Sequence, residues 1–288
     1  MLHQAAPAKI NLFLHAGAQR EDGYHELESL VVFTGIGDDL TFDNAGEAAD
    51  ALSLDIAGPF AAALKNEPDN LVLRAARALG GHGGARITLT KNLPVASGIG
   101  GGSADAAATL RGLMQLWKLT VPPQALHDIA LSLGSDVPVC LASAPAWMTG
   151  RGEHIQAVNL NVNTAMVLAN PGMSVSTAQV FANLDDRTGM GAINPDRIRS
   201  TDELCEYLKD TRNDLEAPAR ELAPVIGDVL DALSKSGALL ARMSGSGATC
   251  FGIYEDDAAA NKAASVISKA QPNWWVKPTN IASSLPSA

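Results

Sequence analysis

Residues 94–105, Pro94-Val95-Ala96-Ser97-Gly98-Ile99-Gly100-Gly101-Gly102-Ser103-Ala104-Asp105, constrain the fold more than any other stretch of the chain. Four glycines in five positions leave backbone N–H groups uncovered by side chains. The segment that follows, Ala104 to Lys118, is alanine-rich, with Leu110, Leu113, Met114 and Trp117 at helical spacing. Upstream, Arg86 to Thr90 alternates, with Ile87 and Leu89 on one face, as a half-buried strand does. Strand, glycine loop and helix in that order make an anion site, because the first N–H groups of a helix lack an acceptor and the helix dipole is positive there. A Walker A loop would end in Gly-Lys-Ser/Thr, whereas Gly102 is followed by Ser103 and Ala104 and the loop holds no lysine. The dinucleotide fingerprint fails at its sixth position, Ser103, and has no obvious acidic residue about 20 positions on.

A chain of 288 residues has room for two modest domains or one large core. With 47% hydrophobic and 18% charged residues it is an ordinary globular sequence. The net charge of -10 argues against nucleic acid as a partner, since phosphate contacts need a basic face, so any polyanionic ligand must be met locally. Cys140, Cys205 and Cys250 are few, odd in number and widely spaced, which suits buried, reduced thiols better than disulfides or a zinc site. Met1 to Ile10 lacks the charged start and apolar run of a signal peptide, and no stretch reaches the roughly 18 apolar residues of a membrane span. A soluble, cytoplasmic protein with no membrane partner is expected.

Ala8 to His15 sets Ile10, Leu12 and Leu14 against Lys9, Asn11 and His15, the period of a strand on which Lys9 and Asn11 point the same way. An Asp-Gly turn in Arg20 to His25 leads to strands at Leu27 to Phe33, Asp38 to Asp43 and Ala51 to Ile56. A helix from Asp69-Asn70 to Leu79 is terminated by the glycines of residues 80–84. Pro122-Pro123 opens a helix to about Leu133, and Gly134 to Val139 reads as a turn, with Gly150 to Glu153 a second tight, polar stretch. Ala165 to Ala169 reads as the buried strand of a new unit, which places a domain boundary near residue 158, with units over 1–158 and 159–288. Beyond it the pattern predicts a helix around Thr177 to Leu184, a polar segment from Asp185 to Ser200, and helices at Asp202 to Lys209 and Pro218 to Ser236. Strands at Leu239 to Met243 and Thr249 to Tyr254 and a last helix over Ala258 to Ala270 complete a smaller α+β unit.

Pro7-Ala8-Lys9-Ile10-Asn11-Leu12, the Gly98 to Ala106 loop, Gly134-Ser135-Asp136-Val137-Pro138 and Met243-Ser244-Gly245-Ser246-Gly247 together resemble the GHMP kinase superfamily, named for galactokinase, homoserine, mevalonate and phosphomevalonate kinases. Arg20-x-Asp22-Gly23-Tyr24-His25 and Asn213-Asp214-Leu215 resemble the branch of it that acts in the non-mevalonate isoprenoid pathway. The match runs in order from about residue 7 to residue 254. It implies an α+β two-domain GHMP kinase: an N-terminal mixed α/β domain with the phosphate loop, a smaller ferredoxin-like C-terminal domain, and a site in the cleft between them. It also implies ATP-dependent phosphorylation of the 2-hydroxyl of a cytidine diphosphate-linked methylerythritol, a small-molecule substrate.

By that resemblance Pro94, Ala96, Ser97, Gly98, Ile99, Gly100, Gly101, Gly102 and Ser103 cradle the ATP phosphates, and Asn70 and Lys91 lie in the adenine pocket. Asp136 takes the proton of the hydroxyl, and Lys9 beside it keeps the carboxylate ionised and stabilises the developing alkoxide. Tyr24 stacks on the cytosine, His25 hydrogen-bonds its edge, and Phe181 supplies a second stacking face. Asn11 and Thr177 meet the diphosphate or erythritol end, and Ser244 to Gly247 buttresses the loop or approaches the reacting phosphate. Magnesium is expected with ATP, with no side-chain ligand assigned.

Plainer roles compete at several positions. A lysine on a strand is often a solvated charge, Ser135-Asp136 before Val-Pro and Asn70 or Thr177 at a helix start can be caps, and Phe181 on a helix can be core. Ile99 stands where leucine is usual in the family, Ala104 where serine is, and Ala142 to Pro145 where glycines are. Two other functions remain. A sister kinase of a small alcohol would have no base for Tyr24 and His25 to hold; a nucleotide sensor would need neither Lys9 nor Asp136.

Overall fold

The alternation of Ile10, Leu12 and Leu14 is the middle of a strand of 18 residues, β1 (Leu2–Gln19), paired antiparallel with β2 (His25–Asn44). In the computed structural model, residues 1–282 are described apart from 22, 46–51, 66, 68, 81–82, 161, 185–190 and 193–197. Asp22 of the turn motif, Ala51, Gly81 of the glycine cluster and most of the polar segment from Asp185 to Ser200 thus lie outside the described residues. The strands expected at Leu27 to Phe33 and Asp38 to Asp43 are one continuous β2, and irregularities between Pro7 and Lys9, Asn11 and Phe13, and Ala16 and Gln19 let the long hairpin bend.

β3 (Leu52–Ala57) runs parallel to β4 (Ala85–Thr90), and α1 (Leu71–Ala78) connects them. β4 pairs with β2 and delivers the chain to the glycine loop and α2 (Gly101–Leu116). The alanines of α2 are buried, and Gly112 lets the helix lie on Phe42, whose Cε2 is 2.3 Å from where a Cβ would stand. Phe33, Leu40, Phe42, Ile87, Leu110 and Leu113 fill this first core, each contributing roughly 1.5–3 kcal/mol by burial. α3 (Pro123–Leu133) follows as expected, but the stretch read as a turn continues into α4 (Val137–Ala142), a helix too short to show a period. β5 (Ala146–Gly150) then pairs with β2 and with β6 (His154–Ala157).

After residue 158 come β7 (Ala165–Asn170), α5 (Thr177–Ala182), α6 (Thr201–Lys209), α7 (Glu216–Leu222) and α8 (Val225–Lys235), then β8 (Leu240–Met243), β9 (Cys250–Tyr254), α9 (Asp257–Ala270) and β10 (Trp275–Ala282). The helix expected over Pro218 to Ser236 is two helices, because Pro224 lacks the N–H that a continuous helix would use. The strand order β10-β7-β9-β8 is the fourth-first-third-second arrangement of a ferredoxin-like unit, with α8 and α9 covering Val167 and Tyr254. β10 also pairs with β2 at Ile281 and Ala282, so the sheet continues across residue 158. Ile10, Leu12 and Phe13 share one core with Met166, Leu168 and Phe251. All three cysteines are buried and free. Among the described residues no helix is long and apolar enough to cross a membrane.

Candidate active site

The glycine loop opens on a cavity of about 860 Å³, within the range of small-molecule sites. Gly100, at φ 64°, precedes α2 as its N-cap and offers no side-chain cap, so the first amides of the helix are left to a ligand. A Cβ on Gly102 would have nothing within 4 Å, which keeps the approach to those amides open. Gly98, at φ 76°, lies against the 244–247 turn, and a Cβ there would stand 2.5 Å from the Ser244 carbonyl oxygen. Ser244 Oγ donates to the Gly98 carbonyl at 3.0 Å and accepts the Asn11 N–H at 3.1 Å, and Thr249 N–H donates to the Ser97 carbonyl. This turn buttresses the loop, as expected. Asn213 holds the turn in place, donating to the Met243 and Gly245 carbonyls at 2.8 Å each.

Lys9 sits on β1 with its N–H donated to the Ile99 carbonyl at 2.9 Å, so strand and loop share one frame. Its ammonium is 2.8 Å from Asp136 Oδ2. The lysine side chain is 5% exposed and the aspartate 37%, so the cation is sunk in the wall while the carboxylate faces the cavity. Asp136 precedes α4 but its side chain makes no cap hydrogen bond, which leaves the carboxylate available for chemistry. Asn11, two residues along the same strand face, donates to Ser29 Oγ at 2.8 Å. Thr177 Oγ1 lies within hydrogen-bond distance, 2.8 Å, of Ser246 Oγ on the cavity wall, and the cap of α5 is Ser176 rather than Thr177.

Tyr24 and His25 also line the cavity. His25 Nδ1 is 3.0 Å from the Gly17 carbonyl, and since a carbonyl only accepts, Nδ1 carries the proton and Nε2 of the neutral ring is an acceptor. Phe181 stacks on His25, with ring centroids 5.5 Å apart and 25° between the planes, and lines the cavity beside it. Asn70 lines the cavity and also caps α1, accepting the Val72 N–H at 2.9 Å. Lys91 lines it with its ammonium committed to Asp38 and Asp105. Arg151, read only as part of a tight polar turn, is brought 5.1 Å over the Tyr24 ring and lines the cavity too. Its partner is 127 positions away, so no spacing could have shown it.

The family models for the GHMP kinases N terminal domain and GHMP kinases C terminal match residues 70–144 and 196–273. The 4-diphosphocytidyl-2-C-methyl-D-erythritol kinase of Ruegeria pomeroyi is 53% identical over 94% of this chain and 95% of its own length. The chain belongs to the 4-diphosphocytidyl-2-C-methyl-D-erythritol kinase family of GHMP kinases. The family member from Parvibaculum lavamentivorans is 52% identical over 95% of this chain and 96% of its own. A crystal structure of 4-(cytidine 5'-diphospho)-2C-methyl-D-erythritol kinase superposes with a TM-score of 0.77 at 31% identity, over 98% of this chain and all of that one. Homoserine kinase from Cytophaga hutchinsonii shares the fold, with a TM-score of 0.70 at 18% identity over 98% and 95% of the two chains. The family and the two-domain kinase fold implied by the motifs are thereby shown.

Proposed function

We propose that the chain transfers a phosphoryl group from ATP to the 2-hydroxyl of 4-diphosphocytidyl-2-C-methyl-D-erythritol, a step of the non-mevalonate isoprenoid pathway. The observation that carries this reading is the pair of Lys9 and Asp136, 2.8 Å apart beside a row of uncapped helix amides in one cavity. Phosphoryl transfer asks the protein for alignment and charge neutralisation. Asp136 would accept the hydroxyl proton, and Lys9 would hold the carboxylate ionised and stabilise the oxygen as charge develops. Pro94, Ala96, Ser97 and the Gly98 to Ser103 backbone would hold the phosphates. Asn70 and Lys91 would form the wall towards the adenine, their polar ends being already engaged.

At the other end Tyr24 would stack on the cytosine, and His25 Nε2, an acceptor, would take the exocyclic amine of the base. Phe181 would extend the platform from beside His25, while Asn11 and Thr177 would meet the diphosphate and erythritol. Asp136 and Asp105 are each paired with a lysine, and among the described residues no three His, Cys, Asp or Glu side chains gather to hold an ion. Magnesium therefore fits as an ion carried on phosphate oxygens and water. When bound it would neutralise charge between the β- and γ-phosphates. We place the division of the chain near residue 158, with the cavity drawing on both units.

The test is ADP release from ATP and magnesium with the cytidylyl compound, beside uncytidylated methylerythritol 4-phosphate, homoserine and mevalonate. Turnover with the cytidylyl compound alone supports the reading. Turnover with a small alcohol instead keeps the kinase and discards the base pocket, and ATP binding without turnover of any of them favours a sensor.

A further inference from the structure

Both ends of the glycine loop are tied to a single ammonium. Lys91 directly follows β4, Asp105 lies one turn into α2, and the residues between them carry the loop. Lys91 Nζ donates to Asp105 Oδ2 at 2.7 Å and to Asp38 Oδ2, on β2, at 2.6 Å. The other oxygen of Asp38 accepts the N–H groups of Asn92 and Leu93, at 2.6 and 2.8 Å, where the chain enters the loop. The side chains of Lys91, Asp38 and Asp105 are only 3%, 0% and 4% exposed, so no solvent could replace a lost partner. A Cβ on Gly101 would stand 3.2 Å from Lys91 Nζ, which puts the ammonium directly beneath the first residue of α2.

We infer that Asp38, Lys91 and Asp105 form a clasp that joins the entry and exit of the loop and fixes the direction of its amide row. Lys91 is then a positioning residue as well as part of the wall towards the adenine, its ammonium acting on ATP through the loop. The inference rests on the reading of this loop as the ATP phosphate site. Burial pushes the Asp105 carboxyl up and the Lys91 ammonium pulls it back, while the charges of Asp105 and Asp38 hold the Lys91 pKa above its ordinary value against burial, so the three groups depend on one another. Among the described residues Asp105 Oδ1 has no partner, so the carboxyl is held through Oδ2, to the Lys91 ammonium. The turn at residues 244–247 supports the opposite side of the loop, at Ser97 and Gly98, so the clasp supplies what that turn does not: closure of the two ends.

Asp105→Asn keeps the shape of the side chain and removes its charge. The expected result is a KM for ATP raised about tenfold, an unchanged KM for the cytidylyl substrate, and amides of residues 94–103 that exchange with deuterium about tenfold faster while β9 stays protected. A triple variant, Lys91→Met with Asp38→Asn and Asp105→Leu, leaves no buried charge unpaired, a replacement that is often neutral for stability. It is expected to melt near the wild-type temperature with the same KM split and the same faster loop exchange. Equal changes in both KM values, or unchanged loop exchange in the folded variants, overturn the clasp. Should wild-type protein fail to bind magnesium and ATP, the phosphate-site reading is lost, while loop exchange in the variants still decides whether the clasp holds the loop.

Discussion

A carboxylate at the start of a short helix is ordinarily a cap, and Asp136 is set apart by what its side chain does not do. It makes no cap bond and turns to the Lys9 ammonium at the edge of the cavity. Asp136→Asn is therefore expected to lower kcat by roughly 10²–10⁴-fold, the usual worth of a general base, and to leave the ATP dissociation constant near its wild-type value in calorimetry. Full activity in that variant would remove the general-base role. Arg151 leads to a different prediction. It lines the cavity and, among the described residues, makes no ion pair with a carboxylate, unlike Lys9 and Lys91, so its guanidinium is available to the diphosphate of the proposed substrate. Arg151→Ala should weaken CDP binding roughly tenfold or more and leave cytidine binding unchanged, as read by competition against the substrate. Equal losses for both ligands would place Arg151 on the base instead. Lys9, Asp136 and Tyr24 were legible because each sits inside a motif. Arg151 was not, because its role is made by a contact between distant turns, and neither was the committed ammonium of Lys91, whose carboxylate partners are brought in by tertiary packing; the Asn70 cap is local, and its place at a helix start allowed it.

At the scale of elements, the loop and α2 were legible because glycine and alanine state their own reasons. Gly98 needs a positive φ and a bare α-carbon against the Ser244 carbonyl, while Gly112 needs only a bare α-carbon against Phe42. The two separate site from scaffold. Gly98→Ala should destabilise by about 1–3 kcal/mol and also raise the KM for ATP, because the strain falls on the phosphate loop. Gly112→Ala should cost a similar 1–3 kcal/mol by overpacking with both KM values unchanged. Thermal melts and steady-state kinetics on the pair check this, and a KM for ATP that moves equally in both would mean that the loop is not specially placed. Elsewhere the elements that escaped the sequence did so for identifiable reasons. α4 spans six residues and shows no full period, and β5 and β6 are as short. β10 contains Pro278, which counts against a strand; it is tolerated because pairing with β2 is confined to Ile281 and Ala282 and only the β7 ladder runs past the proline.

The whole molecule depends on how the chain after residue 158 is fastened to β1. Leu14 N–H donates to the Arg212 carbonyl and Asp214 N–H to the Leu14 carbonyl, Ala16 N–H donates to Asp214 Oδ2, and the buried Arg242 donates to the Leu12 carbonyl. His15 lies in the same seam. Its Nδ1 is 3.3 Å from Glu28 Oε2, so Nδ1 carries the proton, and its Nε2 accepts the Arg212 N–H at 3.3 Å. Glu28 Oε2 also accepts the N–H groups of Gly191 and Ala192. Burial pulls the His15 pKa below the ordinary 6.5, outweighing the hydrogen bond to Glu28; the Arg212 charge lowers it further and the charges of Asp214 and Glu28 raise it. A histidine whose folded pKa is depressed takes up its proton more readily in the unfolded chain, so its contribution is full above about pH 6.5 and is lost as the pH falls towards the folded pKa. Protonation at Nε2 would also turn the acceptor of the Arg212 N–H into a second donor, which opens the seam at one of its few side-chain bonds. Urea unfolding of the wild type and of His15→Gln at a series of pH values from 8 to 5 isolates this term from the carboxylates, which both proteins share. The wild type should lead at pH 7 and above, and its lead should shrink steadily below pH 6.5; a lead that stays constant over the range would mean that His15 does not change its protonation on unfolding and that the seam is held by backbone pairing alone.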